Sequence, residues 1–123
     1  MTAVNLVSII ISSYNYGQFL AEAIDSALKQ TYVGIEVIVV DDGSTDNSRE
    51  VIASYSNRII PILKENGGQA SAWNAGFRVS RGQVILFLDS DDVLLSTAVE
   101  KAAELFHNPD VTKVHWHLWE INK

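Results

Sequence analysis

The sequence contains no cysteine. Disulfide scaffolds, thiolate zinc sites and cysteine nucleophiles are therefore excluded, and a cytoplasmic setting is the expectation. Basic residues are scarce: nine Lys and Arg stand against fifteen Asp and Glu, a net charge of −6. That balance argues against a nucleic-acid binder, which needs a basic stripe, and against docking on an anionic membrane surface. Long apolar runs are missing as well. The longest predominantly apolar stretches are Val7–Ile11, Ile35–Val40 and Val84–Leu88, far short of the ~20 residues of a spanning helix. Met1–Asn5 carries no basic n-region, so no signal peptide is expected. What remains is 123 residues, 47% hydrophobic and 20% charged. That is the composition of one globular domain, expected over 1–123.

The short apolar runs are rich in Val and Ile and separated by helical stretches, which is the pattern of βα units around a parallel sheet. Strands are expected at about 7–12, 35–40, 58–63, 83–88 and 112–120. Pro61 places the third at a sheet edge. Helices are expected at 18–30, 47–55, 69–79 and 97–106, each with an apolar stripe at helical spacing. Asp46 or Thr45 is the candidate cap of the second and Ser96 of the fourth. Right-handed crossovers turn this order into a doubly wound α/β sandwich. Such sheets bind ligands outside the carboxyl ends of their strands.

Polar and acidic residues collect at those ends. Ser12-Ser13-Tyr14-Asn15-Tyr16-Gly17 follows the first strand and Asp41-Asp42-Gly43-Ser44-Thr45-Asp46 the second. Lys64-Glu65-Asn66-Gly67-Gly68-Gln69 follows the third and Asp89-Ser90-Asp91-Asp92 the fourth. The opposite strand ends, near Asn5, Gly34, Arg58 and Gly82, carry no such acidic cluster. Five ionised aspartates on one rim repel one another unless a cation neutralises them or some keep their protons. Their hard oxygens suit Mg²⁺ or Mn²⁺, and Mg²⁺ typically takes one or two carboxylates and completes its shell with substrate phosphates. Each motif also has a plain structural reading. Asp89, Asp91 and Asp92 can cap the following helix; Asp41-Asp42-Gly43-Ser44 can form a tight turn and N-cap; Ser12–Asn15 can simply turn the chain. On the functional side, a carboxylate can accept from the N3–H of uracil, and Tyr14 can stack on a base.

In this order, the strand-end motifs resemble the N-terminal part of family 2 glycosyltransferases. The resemblance is carried by Val7–Asn15, Ala27-Leu28-Lys29-Gln30-Thr31-Tyr32 and Glu36–Asp46. It continues through Asn66-Gly67-Gly68, Asn74-Ala75-Gly76 and Gly82–Asp92, so that it runs over roughly residues 6–106. It implies a Rossmann-like GT-A fold, a three-layer α/β/α sandwich with a mostly parallel sheet. It also implies metal-assisted transfer of a sugar from a nucleoside diphosphate donor, usually a UDP-sugar, to an acceptor hydroxyl with inversion. The acceptor would be a glycan, lipid-linked or protein molecule of cell-envelope polysaccharide synthesis, met in the cytoplasm or at the inner face of the membrane. By position, Ser12 and Tyr14 would touch the uridine, Asp42 would accept from uracil with Asp41 beside it, and Asp89 would face the ribose or sugar. Asp91, with Asp89, would hold Mn²⁺ or Mg²⁺, and Asp92 would support the loop. Gly67, Gly68 and Asn74 would line the donor pocket.

Two departures stand out. Trp73 sits where the family often has a basic residue before the asparagine of its Asn-x-Gly motif. Family members also run on into an acceptor-binding half that supplies the general base. The chain is thus expected to be a truncated, donor-binding part without its catalytic base, and nothing marks Glu120 for that role. His115 and His117 fall on one strand face, as strand alternation or as a metal pair. Trp116 and Trp119, if exposed, point to self-association or a partner surface. A non-catalytic nucleotide-sugar-binding module is the alternative reading. A phosphoacceptor receiver fits less well because its acidic pair follows the first strand. A dinucleotide-binding dehydrogenase lacks its G-x-G-x-x-G.

Overall fold

The computed structural model describes residues 5–105 and 115–117. Strands β1 (Val7–Ser13), β2 (Ile35–Asp42), β3 (Ile60–Lys64), β4 (Val84–Asp89) and β5 (His115–His117) form one sheet in the order β3-β2-β1-β4-β5. All four pairings are parallel. The runs of β-branched residues in β1 and β2 explain the sheet's centre, since such side chains favour extended backbone and pack well on a pleated surface. Pro61 lies exposed on β3, which pairs with β2 at the sheet edge. Helices α1 (Gly17–Leu28), α2 (Ser48–Ala53), α3 (Gln69–Val79) and α4 (Ala98–Leu105) fill the connections, with a single 3-10 turn at Ser56–Arg58.

The two faces of the sheet are covered differently. Val7, Ile9, Ile11, Val37 and Val39 pack with α1, α2 and α4. Ile10, Ile38, Val40 and Ile85 pack under α3 through Ala72. This is the doubly wound, three-layer sandwich expected from the sequence. Gly76 lets α3 lie close to the sheet: a Cβ there would come within 2.5 Å of Ile10 Cγ2 and 3.3 Å of Val40 Cγ2. Trp73 packs edge-on against Phe87, ring centroids 4.8 Å apart, so it serves the core under α3.

Caps between elements set several boundaries. Gln30 Nε2 donates to the Ser26 and Leu95 carbonyls, and its Oε1 accepts from Val99 N–H. The start of α4 is thus held by a side chain reaching over from the end of α1. Asp46 accepts from the Ser48 amide at the head of α2. At the amino ends of the strands, buried Glu36 accepts from the Ser8 hydroxyl at 2.6 Å and the Arg81 amide at 2.7 Å. This anchors the α3–β4 connection beneath β1 and β2. No helix among the described residues is long and apolar enough to cross a membrane. Phe106, Trp119, Glu120 and the flanks of the strand expected over 112–120 lie outside the described residues.

Candidate active site

The winding direction changes between β1 and β4, where the chain leaves β3 and crosses to the other side of β1. Loops diverge at such a point and open a crevice at the carboxyl ends. A cavity of about 370 Å³ lies there. Ser12, Tyr14 and Tyr16 line it from the β1 end, and Asp42 from β2. Asn66, Gly68 and Gln69 enter from the loop before α3, and Asp89, Ser90 and Asp91 from the end of β4.

Six of the residues singled out in the sequence therefore meet at one cavity: Ser12, Tyr14, Asp42, Gly68, Asp89 and Asp91. Asp41, Gly67 and Asn74 stand outside its lining. Strand alternation explains Asp41. β2 runs through Asp42, so the two acids point to opposite faces. Asp41 is fully buried on the α2 side, where its Oδ2 meets Arg49 Nε at 3.0 Å and accepts the Ser44 amide. Asn74 is exposed on α3. Gly67 acts through its backbone, donating to Asp42. Tyr16, Asn66, Gln69 and Ser90 were not among the sequence candidates. All four lie in the polar stretches that follow the strands, which was their signal.

Asp42 is the most heavily engaged group in the cavity. Its Oδ1 accepts from Lys64 Nζ at 2.7 Å and Gly67 N–H at 2.9 Å. Its Oδ2 accepts from Gly68 N–H at 2.9 Å and Asn66 Nδ2 at 3.3 Å. A carboxylate has about four lone-pair sites, so all of them are taken. Burial alone would raise the pKa of Asp42, but Lys64 and the two glycine amides outweigh it and hold the carboxyl below its ordinary range. Two glycines make the arrangement possible. Gly43, at φ +79°, leaves room for Asn66, whose amide nitrogen a Cβ would meet at 2.5 Å. Gly68, at φ +95°, turns its N–H toward Asp42.

At the other end of the cavity, carboxylate oxygens of Asp89, Asp91 and Asp92 lie within 4.8 Å of one another. Gln69 Nε2 donates to Asp89 Oδ1 at 2.8 Å, linking the head of α3 to the end of β4. Three hard oxygen donors at this spacing are a donor set for Mg²⁺ or Mn²⁺. Asp92, expected only to support the loop, belongs to this group.

The sequence pattern of glycosyl transferase family 2 matches residues 8–120. The chain belongs to glycosyltransferase family 2. It is 47% identical over 116 residues to an uncharacterized glycosyltransferase of Nostoc sp., a match covering 91% of this chain and 36% of that protein. Proteins of known structure share the fold. TarS 1-349 of S. aureus in complex with UDP-GlcNAc superposes with a TM-score of 0.72 at 30% identity, covering 80% of this chain and 30% of that one. The mannosyltransferase of Pyrobaculum calidifontis in complex with GDP-Man and Mn²⁺ gives 0.76 at 25% identity, covering 90% and 34%. The architecture is thus the GT-A type, and the chain spans little more than a third of the Nostoc family 2 relative.

The carboxylates predict an acid response. Glu36 and Asp42 are held below the ordinary range by their donors in spite of burial. Asp46 is held there by the Ser48 hydroxyl first, against a smaller effect of burial, with help from the Gly17 and Ser48 amides. Groups of lowered pKa stabilise the fold fully above their unfolded values and lose that contribution as pH falls through the folded ones. Thermal midpoints are expected to be level above about pH 5 and to fall steadily below about pH 4, where carboxyls protonate. A midpoint unchanged down to about pH 3 would contradict this.

Proposed function

We propose that the cavity binds a nucleoside diphosphate sugar, with uridine as the base, and that the whole protein transfers the sugar to an acceptor hydroxyl with inversion. The observation that carries this reading is the division of the cavity: Asp42 stands at the end of β2 and the Asp89–Asp91–Asp92 oxygens lie at the end of β4, two strands that flank β1 on opposite sides, with Tyr14 following β1 itself. Tyr14, half exposed, offers a ring face to a base. Asp42 accepts from the imide N–H of uracil, which cytosine lacks. The incoming N–H replaces the weakest of the four present donors, Asn66 Nδ2 at 3.3 Å. Ser12, Gly68 and Gln69 also line the cavity and in this reading border the ribose and diphosphate.

The acidic side would repel a bare diphosphate; Asp91, with Asp89 and Asp92, would hold the divalent cation that offsets this charge. Bound there, Mn²⁺ or Mg²⁺ stabilises the charge of the departing diphosphate. Asp89, carrying the Gln69 hydrogen bond, orients the ribose or sugar. We assign the acceptor site and the general base to the part of such proteins that this chain does not match.

Calorimetric titration of UDP tests the reading. With Mn²⁺, UDP is expected to bind; with a chelator, or in Asp91→Asn with Mn²⁺, affinity is expected to fall at least about tenfold. Equal UDP affinity with chelator and with Mn²⁺ would overturn the metal assignment. GDP binding in place of UDP would overturn the base assignment.

A further inference from the structure

The loop between β1 and α1 is residues 14–16, and its middle residue faces away from the cavity. Tyr14 and Tyr16 line the cavity and are each 47% exposed. Asn15 lies between them with φ 55°, in the left-handed region that asparagine tolerates better than most residues. Its Oδ1 accepts from Thr45 N–H at 2.8 Å and Asp46 N–H at 3.3 Å, and its own N–H donates to Ser44 Oγ at 2.9 Å. Next along the chain, Gly17 N–H donates to Asp46 Oδ2 at 2.9 Å. A Cβ on Gly17 would collide with the Asn47 side chain, so the two loops are pressed together here.

The partner loop begins at Asp42-Gly43. Asn15 therefore joins the segment carrying both tyrosines to the segment carrying the acid at the base end. The tyrosines sit in an exposed turn, with the Tyr16 ring tilted toward Phe19, centroids 6.2 Å apart. The pairing of β1 with β2 sets Ser13 opposite Asp41, and the Asn15 bonds carry that register on into the exposed turn of Tyr14 and Tyr16.

We infer that Asn15 is a positioning residue: it sets the Tyr14–Tyr16 lip in register with Asp42 and so forms the nucleoside end of the cavity. This rests on the proposed nucleotide binding. The side chain is used as an acceptor, so Asn15→Asp keeps both side-chain bonds and tolerates the left-handed backbone. Asn15→Ala loses the bonds. Asn15→Gly loses the bonds but relieves the backbone.

The test is calorimetric titration of UDP with Mn²⁺ into the protein and its variants. Asn15→Ala and Asn15→Gly are expected to weaken UDP about tenfold, the order of one base stacked on an aromatic ring, and Asn15→Asp to recover to within about threefold of the unaltered protein. Because Asn15 acts through Tyr14, Tyr14→Ala combined with Asn15→Ala is expected to bind within about twofold of Tyr14→Ala alone. UDP binding indifferent to Asn15→Ala, full recovery in Asn15→Gly, or fully additive losses in the double variant would each overturn the positioning role. Failure of the unaltered protein to bind UDP is a different result, which removes the nucleotide reading and this role with it.

Discussion

Asp42→Ala is expected to weaken UDP about a hundredfold and to lower stability by about 2 kcal/mol. The binding loss follows from removing a charged acceptor at the base end, worth about 1.5–3 kcal/mol, or roughly ten- to a hundredfold. It also follows from releasing the loop that the acid holds, since Gly67, Gly68 and Asn66 all donate to this one carboxylate. The stability loss has a second source. Lys64 is only 22% exposed and loses its partner at 2.7 Å, and a partly buried charge without its counterion is costly. Lys64→Met provides the contrast. It leaves Asp42 with its three other donors, so its effect on both affinity and stability is expected to be smaller than that of Asp42→Ala. Calorimetry and thermal melts on the two variants give the order directly. Equal effects would mean that Asp42 matters only as the partner of Lys64.

Gly76→Val is expected to destabilise by about 3 kcal/mol, at the upper end of ordinary overpacking costs. Gly76→Ala is expected to destabilise as well, although alanine is the better helix former by about 1 kcal/mol. The reason is the approach of α3 to β1. The added Cβ meets Ile10 Cγ2 at 2.5 Å, and that methyl belongs to a stiff, β-branched side chain that is fully buried at the sheet's centre. α3 has to lift away from the sheet. Its first turn carries Gln69, which borders the cavity, so UDP affinity is expected to fall along with stability. Chemical denaturation checks the sign. A Gly76→Ala protein more stable than the original would show that helix propensity outweighs contact with the sheet.

Much of the fold was legible because its signals are local. The Val- and Ile-rich runs gave β1, β2 and β4 to within about two residues, and Pro61 placed β3 at the edge. Boundaries set by distant partners were less legible. α4 begins where Gln30 of the first crossover takes the Val99 amide, and no cap at Ser96 is needed to explain that start. The helix expected over 47–55 is shorter, Ser48–Ala53, and a separate 3-10 turn follows at Ser56–Arg58.

The site was legible at the level of strand ends and less so within them. Ending the second strand at residue 40 left Asp41 and Asp42 together in a loop. The strand in fact continues through Asp42, and alternation then gives one acid to Arg49 and the other to the cavity. Asn66 and Ser90 fall inside the strand-end motifs without a role of their own there, and Gln69 stands only as part of the stretch after the third strand. Asn66 and Gln69 reach the cavity because the turn over Gly67-Gly68 folds onto Asp42, a contact across more than twenty residues, and Ser90 because it follows the end of β4. The four donors on Asp42 could not be read from the sequence for the same reason.

The most direct measurement is a crystal structure of the protein grown with UDP and Mn²⁺, with an anomalous map for manganese. The expected result is a manganese peak at the Asp91 carboxylate with Asp89 and Asp92 around it, the diphosphate beside it, and uracil between Tyr14 and Asp42. Nucleotide bound away from the switch between β1 and β4, or manganese away from these three carboxylates, would contradict the proposed site.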